Sequence, residues 1–114
     1  MKSLSHLSDL DMLEAAIAES QHRPVLLFKH SRNCGISFEA LDELRTHVER
    51  GTVDAAYKVI TVQSHRGISD HVSRRLGIRH ETPQAILLRD GAAVWNASHF
   101  RITADTLAKV LASS

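Results

Sequence analysis

Chemistry in this chain centres on a single thiol. Cys34 is the only cysteine among 114 residues. It stands in the run LLFKHSRNCGIS, Leu26 to Ser37, where an apolar segment gives way to charged and polar residues. The thiolate is the nucleophile in thiol–disulfide exchange, and nearby cations or a helix N-terminus favour it over the thiol. Lys29 and Arg32 bring positive charge close in sequence, and a protonated His30 would act in the same sense. Ser37 occupies the position, one helical turn on, where many redox proteins carry a second cysteine. Serine cannot resolve a mixed disulfide; its hydroxyl or N–H is expected to donate a hydrogen bond to the thiolate. The chemistry open to Cys34 is then monothiol exchange, in which the protein accepts a thiol adduct and a third party removes it. The alternative is that Cys34 is a small buried hydrophobe, the commoner use of a lone cysteine.

Positioning such a thiol falls to the elements around it. VLLFKH, from Val25 to about His30, is apolar on both faces and reads as a central strand covered on both sides. GISFEALDELRTHVER follows, with Leu41, Leu44 and Val48 on one stripe and Gly51 as C-terminal cap, so Cys34 opens a helix. Ahead of the strand, Leu10, Leu13 and Ile17 recur at helical spacing to about Glu19, with Ser8 or Asp9 as cap. AAYKVITVQ reads as a second strand, and GISDHVSRRLG as a short helix with Ile68, Val72 and Leu76 on one side and Gly77 beyond its end. QAILLR and AAVWNA form a hairpin about Asp90-Gly91, and Thr103 begins a last helix carrying Leu107, Val110 and Leu111. The order predicts an α/β domain spanning 1–114, a parallel βαβ half joined to an antiparallel hairpin in one mixed sheet.

Composition narrows the partners. A formal charge of +1 and an aromatic content of 4% argue against a nucleic-acid surface. No segment approaches the roughly 18 apolar residues of a membrane span, and Asp9, Asp11 and Glu14 interrupt any signal-peptide-like run near the N-terminus. One cysteine suits a reducing compartment, so a cytoplasmic location is expected. The histidines lack metal-ligand spacing: His6, His22, His47 and His65 are scattered, and His30 and His80 are expected to flank Cys34 rather than join it in binding zinc. No metal is expected.

A second element stands at Thr82-Pro83, directly before QAILLR, a place that suits a strand-entry turn or a cis bond. A cysteine opening a helix after a central strand, with a proline before the terminal hairpin and helix, resembles the thioredoxin fold over nearly the whole chain. That resemblance implies that Thr82 and Pro83 lie beside Cys34, where the backbone next to the proline pairs with an extended substrate. Thioredoxins bury an aspartate in this strand, six residues before the cysteine; Phe28 stands there, which agrees with a cycle lacking a resolving thiol. Within the fold, Phe28-Lys29-His30-Ser31 followed by Cys34, Ile36 and Ser37 is similar to the monothiol bacilliredoxins, the bacillithiol-system YtxJ-like family. Asn33 and Gly35 depart from the threonine and proline common in that motif.

The resemblance implies a thiol–disulfide oxidoreductase that removes bacillithiol from protein mixed disulfides, with Cys34 attacking. Lys29, His30 and Ser37 would support the thiol, and Asn33, Gly35, Thr82 and Pro83 would meet substrate. No cofactor is held permanently; bacillithiol is the co-substrate, and thiol-modified client proteins are the partners. Two alternatives stay open. CGIS is one residue from the Cys-Gly-Phe-Ser of monothiol glutaredoxins, which bridge an iron–sulfur cluster with glutathione, although the Gly-Gly pair usual in them is absent from AILLRDGAAVWNASH. The other is a thioredoxin-fold binding module without catalysis.

Overall fold

In the computed structural model, which describes residues 4–51 and 53–112, a five-stranded sheet carries helices on both faces. The elements are β1 (Leu4–His6), α1 (Leu10–Glu19), β2 (Val25–His30), α2 (Gly35–Arg50), β3 (Ala56–Thr61), α3 (Arg66–Leu76), β4 (Gln84–Arg89), β5 (Ala92–Ser98) and α4 (Ala104–Ala112), with a 3₁₀ turn at His99–Arg101 before α4. Strand order is β1-β3-β2-β4-β5. β1 and β2 pair parallel with β3, and β4 pairs antiparallel with β2 and β5. β2 is the middle strand and every one of its residues is buried.

Side-chain alternation along β2 divides the core. Leu26 and Phe28 pack with Leu41, Leu44, Tyr57, Val59 and Leu107 under α2 and α4. Val25 and Leu27 pack with Leu13, Ile17, Ile60 and Val72 under α1 and α3. Fully burying one such side chain stabilises the fold by about 1.5–3 kcal/mol, so a register slip that exchanged the faces of β2 would forfeit several at once.

The ends of the elements follow their sequence signals. Asp9 caps α1, its carboxylate accepting from the Met12 N–H at 2.7 Å. Gly51 and Gly77 close α2 and α3 with φ of 60° and 68°, conformations that glycine adopts without the penalty of a Cβ. Asp90 and Gly91, at φ 53° and 80°, turn the hairpin. Thr103 precedes α4 and its hydroxyl accepts from the Thr106 N–H.

One strand was not expected. Leu4–His6 forms β1 on the sheet edge, ahead of α1. The segment is three residues long and mostly exposed, too short to show a period. It is a strand because β3 offers a free edge, and the Leu7 N–H extends the pairing to the Val59 carbonyl. Among the described residues, no helix is long and apolar enough to cross a membrane.

Candidate functional site

The sheet brings two junctions to one end. β2 runs into the Ser31–Cys34 loop, and its pairing with β4 begins at Lys29↔Gln84. Thr82 and Pro83, which enter β4, therefore stand beside the strand end from which the Cys34 loop departs. The Thr82-Pro83 bond is cis, and the Pro83 carbonyl accepts from the His99 N–H at 3.1 Å.

Cys34 is the N-cap of α2, with extended backbone (φ −128°, ψ 119°) and a partly exposed side chain that makes no capping bond. Its carbonyl accepts from the N–H groups of Ser37 and Phe38, which starts the helix. The N–H groups of Gly35 and Ile36 have no acceptor within the helix, so they and the positive end of the helix dipole face the capping side chain. Asn33 and Gly35 are exposed beside it, and a Cβ built on Gly35 would meet nothing within 4 Å.

Ser37 does a different task from the one its position suggested. It is fully buried; its hydroxyl accepts from the Ser31 N–H at 2.9 Å and lies 2.7 Å from His30 Nδ1. Its own N–H goes to the Cys34 carbonyl rather than to sulfur. The hydroxyl thus ties the end of β2 to the first turn of α2 and fixes the loop in between. A residue missed in the sequence completes the brace: Gln63 accepts from the Arg32 N–H and donates to the Ser31 hydroxyl. Its signal is weak, because the sequence reads it as the last residue of the AAYKVITVQ strand, which in the structure ends at Thr61.

Lys29 and His30 lie on opposite faces of the sheet, as consecutive strand residues must. His30 points to the α2 side, where its ring meets Phe38 edge-on at 4.8 Å. Burial first, then Arg45, Arg32 and His6, hold its imidazole below the ordinary value. It is therefore neutral at pH 7, and the protonated neighbour expected from sequence is not the favoured form.

Lys29 points to the α3 side and is wholly buried, and among the described residues it makes no ion pair with a carboxylate. Its ammonium donates to the Ser73 hydroxyl at 2.7 Å and to His80 Nδ1 at 3.1 Å. His80 Nε2, left with the ring proton, lies 3.3 Å from the Thr82 hydroxyl. Burial pulls Lys29 from its ordinary 10.5 down to about 8, with Asp70 opposing and Arg66 reinforcing the shift. Lys29 and His80 thus act on the turn before Pro83. The Ser98 hydroxyl donates to Glu81 from the other side, and Gln84 anchors the same turn by donating to the Arg79 carbonyl. Among the described residues, no group of three or more His, Cys, Asp or Glu side chains is arranged to hold a metal ion.

A cysteine at the head of a helix and a cis-proline turn, both at the same end of a mixed sheet, define a thioredoxin-fold thiol oxidoreductase. Solved structures agree. A thioredoxin-fold protein proposed to be an oxidoreductase is 34% identical, with 93% of this chain and 91% of that one covered and a TM-score of 0.83. The N21Q mutant thioredoxin of Halobacterium salinarum NRC-1 shares 19% identity over 96% of this chain and 88% of that one, TM-score 0.76. Fasciola hepatica thioredoxin shares 15% over 94% and 95%, TM-score 0.75, and like the previous one bears on the fold alone. Residues 5–107 match the model of the family described as monothiol bacilliredoxin BrxC. The chain belongs to that family.

Two outcomes test this geometry. Gly35→Pro should raise stability by about 0.4–1 kcal/mol, because proline suits the first helical position and requires an extended residue before it, which Cys34 already is. A lower melting temperature would mean that Gly35 is needed for its backbone freedom. Lys29 sets a pH dependence. Between pH 8 and 10.5 the folded chain has released this proton and the unfolded chain still holds it, so stability at this site rises with pH across that window. Urea unfolding at pH 7 and pH 9.5 should show a smaller gain for Lys29→Met than for the wild type; equal gains would contradict the assignment.

Proposed function

We propose that the protein removes bacillithiol from protein mixed disulfides by monothiol exchange at Cys34. The observation that carries this reading is the pairing of the chain's only thiol, at the helix head, with a buried serine whose hydroxyl is committed to the loop. No second sulfur in the chain is available to release the adduct, so the cycle pauses with the small thiol on Cys34.

The exchange balances in two steps. The Cys34 thiolate attacks the bacillithiol sulfur of the mixed disulfide; that S–S bond breaks, the client leaves as thiolate and a new disulfide joins Cys34 to bacillithiol. A second small thiol, as thiolate, attacks the bacillithiol sulfur of the adduct. Cys34 departs as thiolate and the two small thiols leave joined as their disulfide, so each step passes on one disulfide bond and the incoming thiol is oxidised as the client sulfur is reduced.

In this reading the Gly35 and Ile36 N–H groups stabilise charge on the Cys34 sulfur before attack and as it leaves. The client's backbone runs along Thr82 and Pro83, the turn held by His80 and Lys29. Asn33 and Gly35 form the exposed lip past which the small thiol enters. The partners are thiol-modified proteins in a reducing, cytoplasmic setting.

The test uses a client protein carrying bacillithiol on one cysteine, with released client followed by intact mass. Wild type should release reduced client and end with one bacillithiol on Cys34, while Cys34→Ser and Cys34→Ala release none. Substantial release by either variant would overturn the mechanism. Faster turnover of the glutathione-modified client would instead favour the glutaredoxin-like alternative, and no release by the wild type would favour the binding module.

A further inference from the structure

Beyond the thiol, one face of α2 carries a feature that the exchange reaction does not require. Phe38, Leu41 and Arg45 follow Cys34 at intervals of four, three and four residues, which stacks them on the helix face that Cys34 heads. Together with Leu4 and Val59 of the β1–β3 edge, these residues line an open groove of about 610 Å³. Arg32, His6 and His30 also border it.

Three observations bear on its occupant. The volume is that of a small-molecule site rather than of a folded partner. Its floor is apolar and holds Phe38, a ring left 46% exposed beside the reactive position. Its charged and titratable lining groups are mostly basic, Arg32, Arg45, His6 and His30, with Glu49 the acidic exception. Among the described residues, Arg45 makes only a 3.7 Å contact with exposed Asp42, and the side chain of Arg32 donates only to the neutral Ser64 hydroxyl. Both guanidinium groups thus remain open to a carboxylate, which they bind with charge-assisted hydrogen bonds. The same positive field reaches His30, whose imidazole Arg45, Arg32 and His6 push further down after burial.

We propose that this groove binds the carboxylate-bearing end of the low-molecular-weight thiol, with Arg45 and Arg32 on its carboxylates and Phe38 against its apolar part. The proposal rests on the exchange reading above and adds a division of the site. β2 lies between β3 and β4, so the client approaches on the Pro83 side and the small thiol lies on the β3–β1 side. Cys34 heads the helix between them. Each partner of the mixed disulfide then has its own wall.

Adduct formation on Cys34 tests it, with bacillithiol disulfide as the dicarboxylate-bearing probe and bis(2-hydroxyethyl) disulfide as an uncharged one. Arg45→Glu should lower the second-order rate constant of adduct formation with the first relative to the second by about tenfold, a loss of about 1.4 kcal/mol. Phe38→Ala should move the same ratio in the same direction. Arg75→Glu, an equal charge change on exposed α3 where Arg75 pairs with Glu14, should leave the ratio as in wild type. A ratio unchanged in Arg45→Glu, with both probes still forming the adduct, would overturn the groove while leaving the exchange reading standing. An equal shift in Arg75→Glu would reduce the effect to net charge and overturn it too. If neither probe modified the wild-type thiol, the exchange reading would fail and the groove proposal with it.

Discussion

The hydrogen bonds of the Ser37 hydroxyl are the constraint on which the rest of this site depends. A strand, a loop and a helix must meet at the end of β2, and the loop has little apolar surface with which to hold itself. One fully buried hydroxyl accepts from the Ser31 N–H and meets His30 Nδ1. Removing it would leave both groups without that partner, at about 1–3 kcal/mol for each one buried. Gln63 completes the brace from the β3 side. The result is a Cys34 whose backbone is extended at the helix head and whose side chain is partly exposed.

Around that junction the sheet separates two kinds of environment. On the α2 side neutral His30 and Phe38 make a largely apolar wall next to the thiol. On the α3 side buried Lys29 and partly buried Ser73 and His80 form a polar chain that ends at Thr82. Burying an ammonium with only neutral partners is costly, and the lowered Lys29 value is the visible form of that cost. The polar chain holds the turn before the cis-proline.

Much of this was legible in the residues. The all-apolar face pattern of VLLFKH marked β2 as central, the caps at Asp9, Gly51 and Gly77 marked helix ends, and Cys34 was placed at a helix head. The position of Pro83 pointed to a turn or a cis bond, and the bond is cis. The resemblance to bacilliredoxins, carried by FKHS with Cys34, Ile36 and Ser37, agrees with the family match. What sequence could not convey was direction. Strand alternation puts Lys29 and His30 on opposite faces, but adjacency in sequence made both look like neighbours of the thiol. Ser37, one turn from Cys34, looked like its hydrogen-bond donor; full burial instead committed its hydroxyl to Ser31 and His30. β1 is too short to carry a period and exists only because β3 offers an edge.

The central claim is that the chain has one reactive sulfur and no internal means of discharging it. The most direct measurement mixes reduced protein with excess bacillithiol disulfide, removes the small molecules, and follows intact mass over time. The account predicts a single bacillithiol adduct on Cys34 that persists on standing and disappears when free thiol is added. Failure to form the adduct, or its spontaneous loss without added thiol, would contradict it.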